Sequence, residues 1–166
     1  MLLLIAVRSI ATMNAMDESR LLDEVFRIFD EDGDREQKAA GIAKAIRHAG
    51  GYRWVGIYEV TEEEVANVAF DGPSAPTHPR FPKTQGLSGA AIASKETVVV
   101  GDVRKDPRYL TAFGSTRSEI VVPVADRAGQ KVVGTIDVES EQEEAFSEKD
   151  RSALERCAAA IAPLFE

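Results

Sequence analysis

The stretch VVGTIDVES, Val132 to Ser140, reads as a strand whose two faces carry different chemistry. Side chains alternate along a strand, so Thr135, Asp137 and Glu139 share one face while Val132, Gly134, Ile136 and Val138 share the other. One face is core; the other is acidic. Upstream, TRSEIVVPV (Thr116 to Val124) has the composition of a neighbouring strand, and DRAGQ, with Gly129, suits the hairpin loop between them. Two such strands place Glu119, Asp137 and Glu139 where three carboxylates could enter one cavity.

The same alternation in RWVGIYEV (Arg53 to Val60) puts Trp54, Gly56 and Tyr58 on one face and Val55 and Ile57 on the other. An aromatic wall facing several carboxylates suits a small cation or an amine, through cation–π attraction and charge-assisted hydrogen bonds. The plainer alternative is a solvated sheet face, because antiparallel sheets often leave one face to water.

Around these strands the pattern is helical at both ends. Leu21, Leu22, Val25, Phe26, Ile28 and Phe29 recur at helical spacing after Asp17 to Ser19, which offer N-cap chemistry. DEDGD (Asp30 to Asp34) interrupts this helix, and a second one with Ala39, Ile42, Ala43 and Ile46 runs to Gly50-Gly51. Strands are expected near Arg53 to Val60 and Val65 to Phe70. The proline-rich DGPSAPTHPRFPKTQG then reads as a loop. LSGAAIASKE suits a short helix with Ser88 as its N-cap, and TVVVGDV (Thr97 to Val103) a buried strand. RKDPRYLTAFGST makes a second long connection, and a last helix starts at Ser147, with Asp150 as capping partner and Leu154, Cys157, Ala158, Ile161 and Phe165 on its apolar stripe. The order indicates an α+β domain.

The chain has 166 residues, 44% of them hydrophobic, enough for one domain that buries roughly two-thirds of its unfolded surface. Its net charge of −8 repels phosphate backbones and anionic lipid, so neither nucleic acid nor a membrane is an expected partner. With Cys157 as the only cysteine, no intrachain disulfide can form, and a reducing, cytoplasmic setting is expected. The apolar run Leu2 to Val7 lacks a preceding basic region and is too short for a membrane span. Residues 1–16 are therefore expected to be disordered or an over-extended start, with translation from Met13 or Met16, and residues 17–166 a single domain.

Other motifs carry less. Asp30, Asp32 and Asp34 alternate as in a calcium loop, but its sixth and twelfth positions would be Arg35 and Gly41 instead of Gly and Glu. His48 and His78 lie far apart without a ligand cluster. Neither metal nor cofactor is expected. Ser88 has no His and acid placed to activate it as a nucleophile, and Arg117 has two readings, contact with an anionic ligand or pairing with neighbouring acids such as Glu119.

Taken together, GLSGAAIASKETVVVGDVRKDPRY, RSEIVVPV and VVGTIDVES followed by AFSEKD resemble a GAF domain from about Leu21 onward. The RWVGIY strand is most similar to the free-methionine-(R)-sulfoxide reductases within that family. That resemblance implies a central antiparallel sheet with the N- and C-terminal helices on one face and a ligand pocket on the other. It also implies that Trp54, Tyr58, Glu119 and Asp137 surround the ligand, with Glu139 in place of a second Asp. The thiol machinery of those enzymes is not matched: His78, Ser88 and Ala112 stand at their three cysteine positions, and Cys157 reads as a core residue. The expected function is binding of an amine-bearing metabolite such as an amino acid, with occupancy reported to a signalling partner in trans, because the chain stops directly after its last helix. Two further readings stay open: a free-methionine-(R)-sulfoxide reductase, and a dimerisation module without ligand. A homodimer through the first and last helices is expected.

Overall fold

The computed structural model describes residues 17–166, so the expectation for the first 16 residues lies outside the described residues. Two helices open the fold, α1 (Glu18–Asp30) and α2 (Arg35–Gly50). Asp17 caps the first by accepting from the backbone N–H of Arg20. Asp34 caps the second through a reciprocal box with Gln37, which uses the last acid of the Asp30–Asp34 turn for capping. Gly51, at φ +64°, then ends α2 in the left-handed conformation that glycine adopts without strain.

A six-stranded antiparallel sheet follows: β1 (Trp54–Val60), β2 (Glu64–Asp71), β3 (Arg80–Pro82), β4 (Val98–Val100), β5 (Ser118–Ala125) and β6 (Val132–Ser140), in spatial order β3-β2-β1-β6-β5-β4. Helix α3 (Gly86–Ser94) lies between β3 and β4 in sequence, and α4 (Glu148–Ile161) comes after β6. The final helix starts as its sequence indicates, with Ser147 and Asp150 bonding reciprocally.

One sheet face is an apolar core. Val55 and Ile57 of β1, Ile120, Val122 and Val124 of β5, and Ile136 and Val138 of β6 pack against Leu21, Ile42, Ile46, Leu154 and Ile161 from α1, α2 and α4. Each such buried side chain contributes about 1.5–3 kcal/mol relative to exposure. The apolar residues of α1 and α4 largely turn inward within the chain; among the described residues, Phe26, at 54% exposed, is the largest apolar side chain left outside.

The opposite face is covered too. α3 packs Leu87 and Ala91 onto Val121, Val100 and Val103, while Trp54, Tyr58 and Val65 form a separate aromatic cluster. The solvated-face alternative therefore fails: Glu119, Thr135, Asp137 and Glu139 are all buried.

Three local expectations are corrected. The proline-rich segment contains a strand, β3, which pairs with β2 at the sheet edge, where a residue lacking an N–H is tolerated. The strand expected over Thr97 to Val103 is only three residues long, and a 3₁₀ turn takes Val103–Lys105. Ser88 does not cap α3, because the helix starts two residues earlier after Gln85.

Candidate functional site

Strand register assembles the acids. Glu119 of β5 stands directly opposite Glu139 of β6, and Val121 opposite Asp137, so the three acids occupy one patch. On the other side of β6, Trp54 pairs with Glu139, Gly56 with Asp137, and Tyr58 with Thr135. Carboxylate oxygens of Glu119, Asp137 and Glu139 all lie within 4.8 Å of one another. Gly56 allows the aromatic residues beside it to converge: a Cβ there would sit 2.3 Å from the Trp54 ring and 2.6 Å from that of Tyr58.

Such a cluster is electrostatically costly when empty. Burial, then the charges of Asp137 and Glu139, raises Glu119 well above the usual carboxylate range. Asp137 is raised by burial and by Glu139, with Glu119 acting in the opposite direction as its hydrogen-bond partner. Glu139 is pushed up to about 7 by burial, against the opposing effects of the Thr116 hydroxyl, which donates to Oε2, and of the Arg53 guanidinium. The cluster therefore holds protons near neutral pH. Among the described residues, Asp137 Oδ1 has no hydrogen-bond partner.

The acids border a cavity of about 30 Å³ with Tyr58, His78, Ser88 and Ala112, closed by apolar groups that include Phe81, Leu87 and Leu110. Among the described residues, neither lysine nor arginine borders it. Two loops meet above: the Thr77 hydroxyl donates to the Ala112 carbonyl, and His78 Nε2 lies 3.1 Å from the Thr111 carbonyl. The free space beneath these loops is small, which favours a small ligand.

Of the residues expected to bind, Tyr58, Glu119, Asp137 and Glu139 border the cavity. Trp54 stands behind them, 1% exposed, stacked on Phe70 and tilted against Tyr58 and Phe113, with its indole N–H donated to the Ser74 carbonyl. Arg117 does not pair with Glu119; its guanidinium donates to the carbonyls of Gly114 and Thr116. His78, Ser88 and Ala112 do border the cavity, although periodicity gave no sign of it. The signal for them was the resemblance, which put all three at cysteine positions.

Three carboxylates could also ligate a hard cation such as Ca²⁺, which takes six to eight oxygens. Of the remaining lining side chains only Tyr58 and Ser88 carry an oxygen, which is few for such an ion. Cys157 lies in the core, fully buried, with its thiol pushed up to about 12 by burial.

Comparison with known proteins agrees with this geometry. The GAF domain family model matches residues 34–163. GAF domain-containing protein A of Dictyostelium discoideum is 30% identical over 135 residues, covering 81% of this chain and 83% of its own. A free methionine-R-sulfoxide reductase of Saccharomyces cerevisiae is 37% identical over 111 residues, or 65% of this chain and 60% of that one. Among solved structures, the free methionine-R-sulfoxide reductase from Neisseria meningitidis in complex with its substrate superposes with a TM-score of 0.82 at 31% identity, covering 93% and 92% of the two chains.

Proposed function

The chain belongs to the GAF domain family, and from that premise we propose that it binds an ammonium-bearing metabolite, such as an amino acid, at Glu119, Asp137 and Glu139. The observation that carries this reading is the meeting of three buried carboxylates on a cavity bordered by neither lysine nor arginine. A ligand ammonium supplies the missing positive charge and the donors that Asp137 Oδ1 lacks. Tyr58, backed by Trp54, supplies an aromatic wall for the same cation. Occupancy is reported through the helices to a signalling partner.

Relatives named as free methionine-R-sulfoxide reductases favour a second reading, in which free methionine sulfoxide is the ligand and is reduced. The chain's single thiol argues against the reduction step, because Cys157 belongs to the core on the far side of the sheet. Binding of the sulfoxide without turnover is compatible with both the acids and the missing cysteines.

The deciding experiment is a thermal-shift and calorimetric screen of the protein against free amino acids, methionine sulfoxide and simple amines, with and without EDTA. A rise in Tm with an amino acid or amine, unaffected by EDTA, is expected. Stabilisation by Ca²⁺ alone would assign the acids to a cation, and no response to any of these compounds would favour a dimerisation module instead.

A further inference from the structure

Among the three acids, Glu139 has surroundings unlike those of the other two. Glu119 and Asp137 are hydrogen-bonded to each other, which two carboxyl groups can do only when one of them carries a proton. Glu139 has donors instead. The buried Thr116 hydroxyl donates to its Oε2, and the Arg53 guanidinium lies near enough to favour its charged form. Both partners serve a carboxylate without requiring it to hold a proton.

One turn before β5 delivers them. The Thr116 N–H donates to the Phe113 carbonyl at 3.2 Å, and the Phe113 ring carries the Arg53 guanidinium 5.3 Å from its centre. Arg53 is held further by its Nε, which donates to Glu141 at 2.9 Å, while its Nη1 is buried without a partner among the described residues. Neither Thr116 nor Arg53 borders the cavity, so what they do to the site they do through Glu139.

We infer that Thr116 is a positioning residue of the amine site: its hydroxyl fixes Glu139 as the carboxylate that pairs with the ligand's ammonium group, while Glu119 and Asp137 bond to each other. This rests on the amine reading above and says which of the three acids supplies the charge. The remaining ammonium N–H groups are then free to donate to Asp137 Oδ1. Besides Arg53, the titratable groups that face Glu139 are Glu119, Asp137, Tyr58, Tyr109 and His78. The two acids oppose a charge on Glu139. Burial raises both phenols, which therefore stay neutral, and the His78 ring meets the Thr111 carbonyl. The Thr116 hydroxyl and Arg53 are left as the groups that favour the charge.

The test follows Glu139 itself. In empty protein with carbon-13 at its glutamate carboxyls, NMR titration reads each ionisation, and loss of a signal in Glu139→Gln or Glu119→Gln assigns it. In the wild type Glu139 should ionise at lower pH than Glu119; the reverse order would overturn the inference whether or not any variant folds. Thr116→Val keeps the shape and removes the donor, so the Glu139 midpoint should rise, and Thr116→Ser should restore it. An unmoved midpoint in Thr116→Val would also overturn the inference. Calorimetry with n-butylamine and L-methionine as probes supplies the binding half. Thr116→Val should weaken binding by about ten-fold near pH 6 and by only about two-fold near pH 8.5, where Glu139 ionises unaided. A loss equal at both pH values would make Thr116 structural and leave the amine reading standing. No binding of either probe to the wild type would remove the amine reading, and the role of Thr116 with it.

Discussion

Glu119 and Glu139 are direct register partners on β5 and β6, two carboxyl groups face to face in a buried patch. Opposed like charges on neighbouring strands destabilise a sheet. Nothing in the core on the other face requires them, so the cost is borne at the cavity. A cation arriving there relieves it, which ties ligand binding to stability and to pH.

Stability without ligand should fall as pH rises. Glu139 holds its proton up to about pH 7 in the folded protein but releases it near the usual 4.5 when unfolded, and Glu119 and Asp137 are raised in the same direction. Between those values the folded state binds more protons than the unfolded one, so the stabilisation is complete below about pH 4.5 and is lost through pH 7. The slope is about 1.4 kcal/mol per pH unit for each proton concerned. Denaturant titrations from pH 5 to pH 8 measure it. A Glu119→Gln, Glu139→Gln double variant should flatten the dependence, and an unchanged slope in that variant would place the titrating groups elsewhere.

Asp137→Asn should separate binding from folding. The substitution removes one of three buried carboxyls whose ionisation is mutually opposed, so the empty protein should be equally or more stable. An ammonium ligand loses a charged hydrogen bond worth about 1–3 kcal/mol. Chemical denaturation and calorimetry read the two effects separately. Strong destabilisation of the empty protein would make Asp137 a structural anchor and remove the main support for the cation site.

The acidic face was legible in the sequence because strand alternation is strict: once Ile136 and Val138 are core, Asp137 and Glu139 must share the other face. Tyr58 and Glu119 follow from the same rule. What alternation cannot supply is the position of the loops. His78 and Ala112 reach the cavity only because their segments cross above it and bond to each other, a long-range contact with no local pattern. β3 was hidden by prolines, since Pro79 and Pro82 are tolerated there only because that strand is at the edge. Alternation places Trp54 on the cavity face but says nothing of its depth, because the rings of Phe70 and Phe113 that surround it come from distant segments.

Thiol chemistry should be absent. Purified protein given methionine sulfoxide and a thiol reductant should show no turnover, since Cys157 is buried and its thiol is held protonated to about 12. Cys157→Ser places a hydroxyl in an apolar site and should cost about 1–3 kcal/mol of stability without altering ligand affinity. Turnover that persists in Cys157→Ser would establish a reductase working by another route. Turnover that disappears with it would mean the core around α4 opens.

The aromatic wall depends on an absence, the missing side chain at Gly56. Trp54 and Tyr58 flank Gly56 on one strand face, four residues apart, with ring centroids 6.3 Å apart, and the space over Gly56 lets them lean together. A methyl group there would meet the Trp54 ring at 2.3 Å and the Tyr58 ring at 2.6 Å, well inside contact distance. Neither ring can retreat far, because Trp54 is held by Phe70, Phe113 and the Ser74 carbonyl, and Tyr58 by Phe81. Gly56→Ala should therefore cost about 1–3 kcal/mol from overpacking. It should also shift the emission of the chain's single tryptophan and weaken ligand binding, because Tyr58 borders the cavity. Wild-type stability, emission and affinity in Gly56→Ala would mean that the two rings do not converge over that residue, and the cation–π part of the site would fall with them.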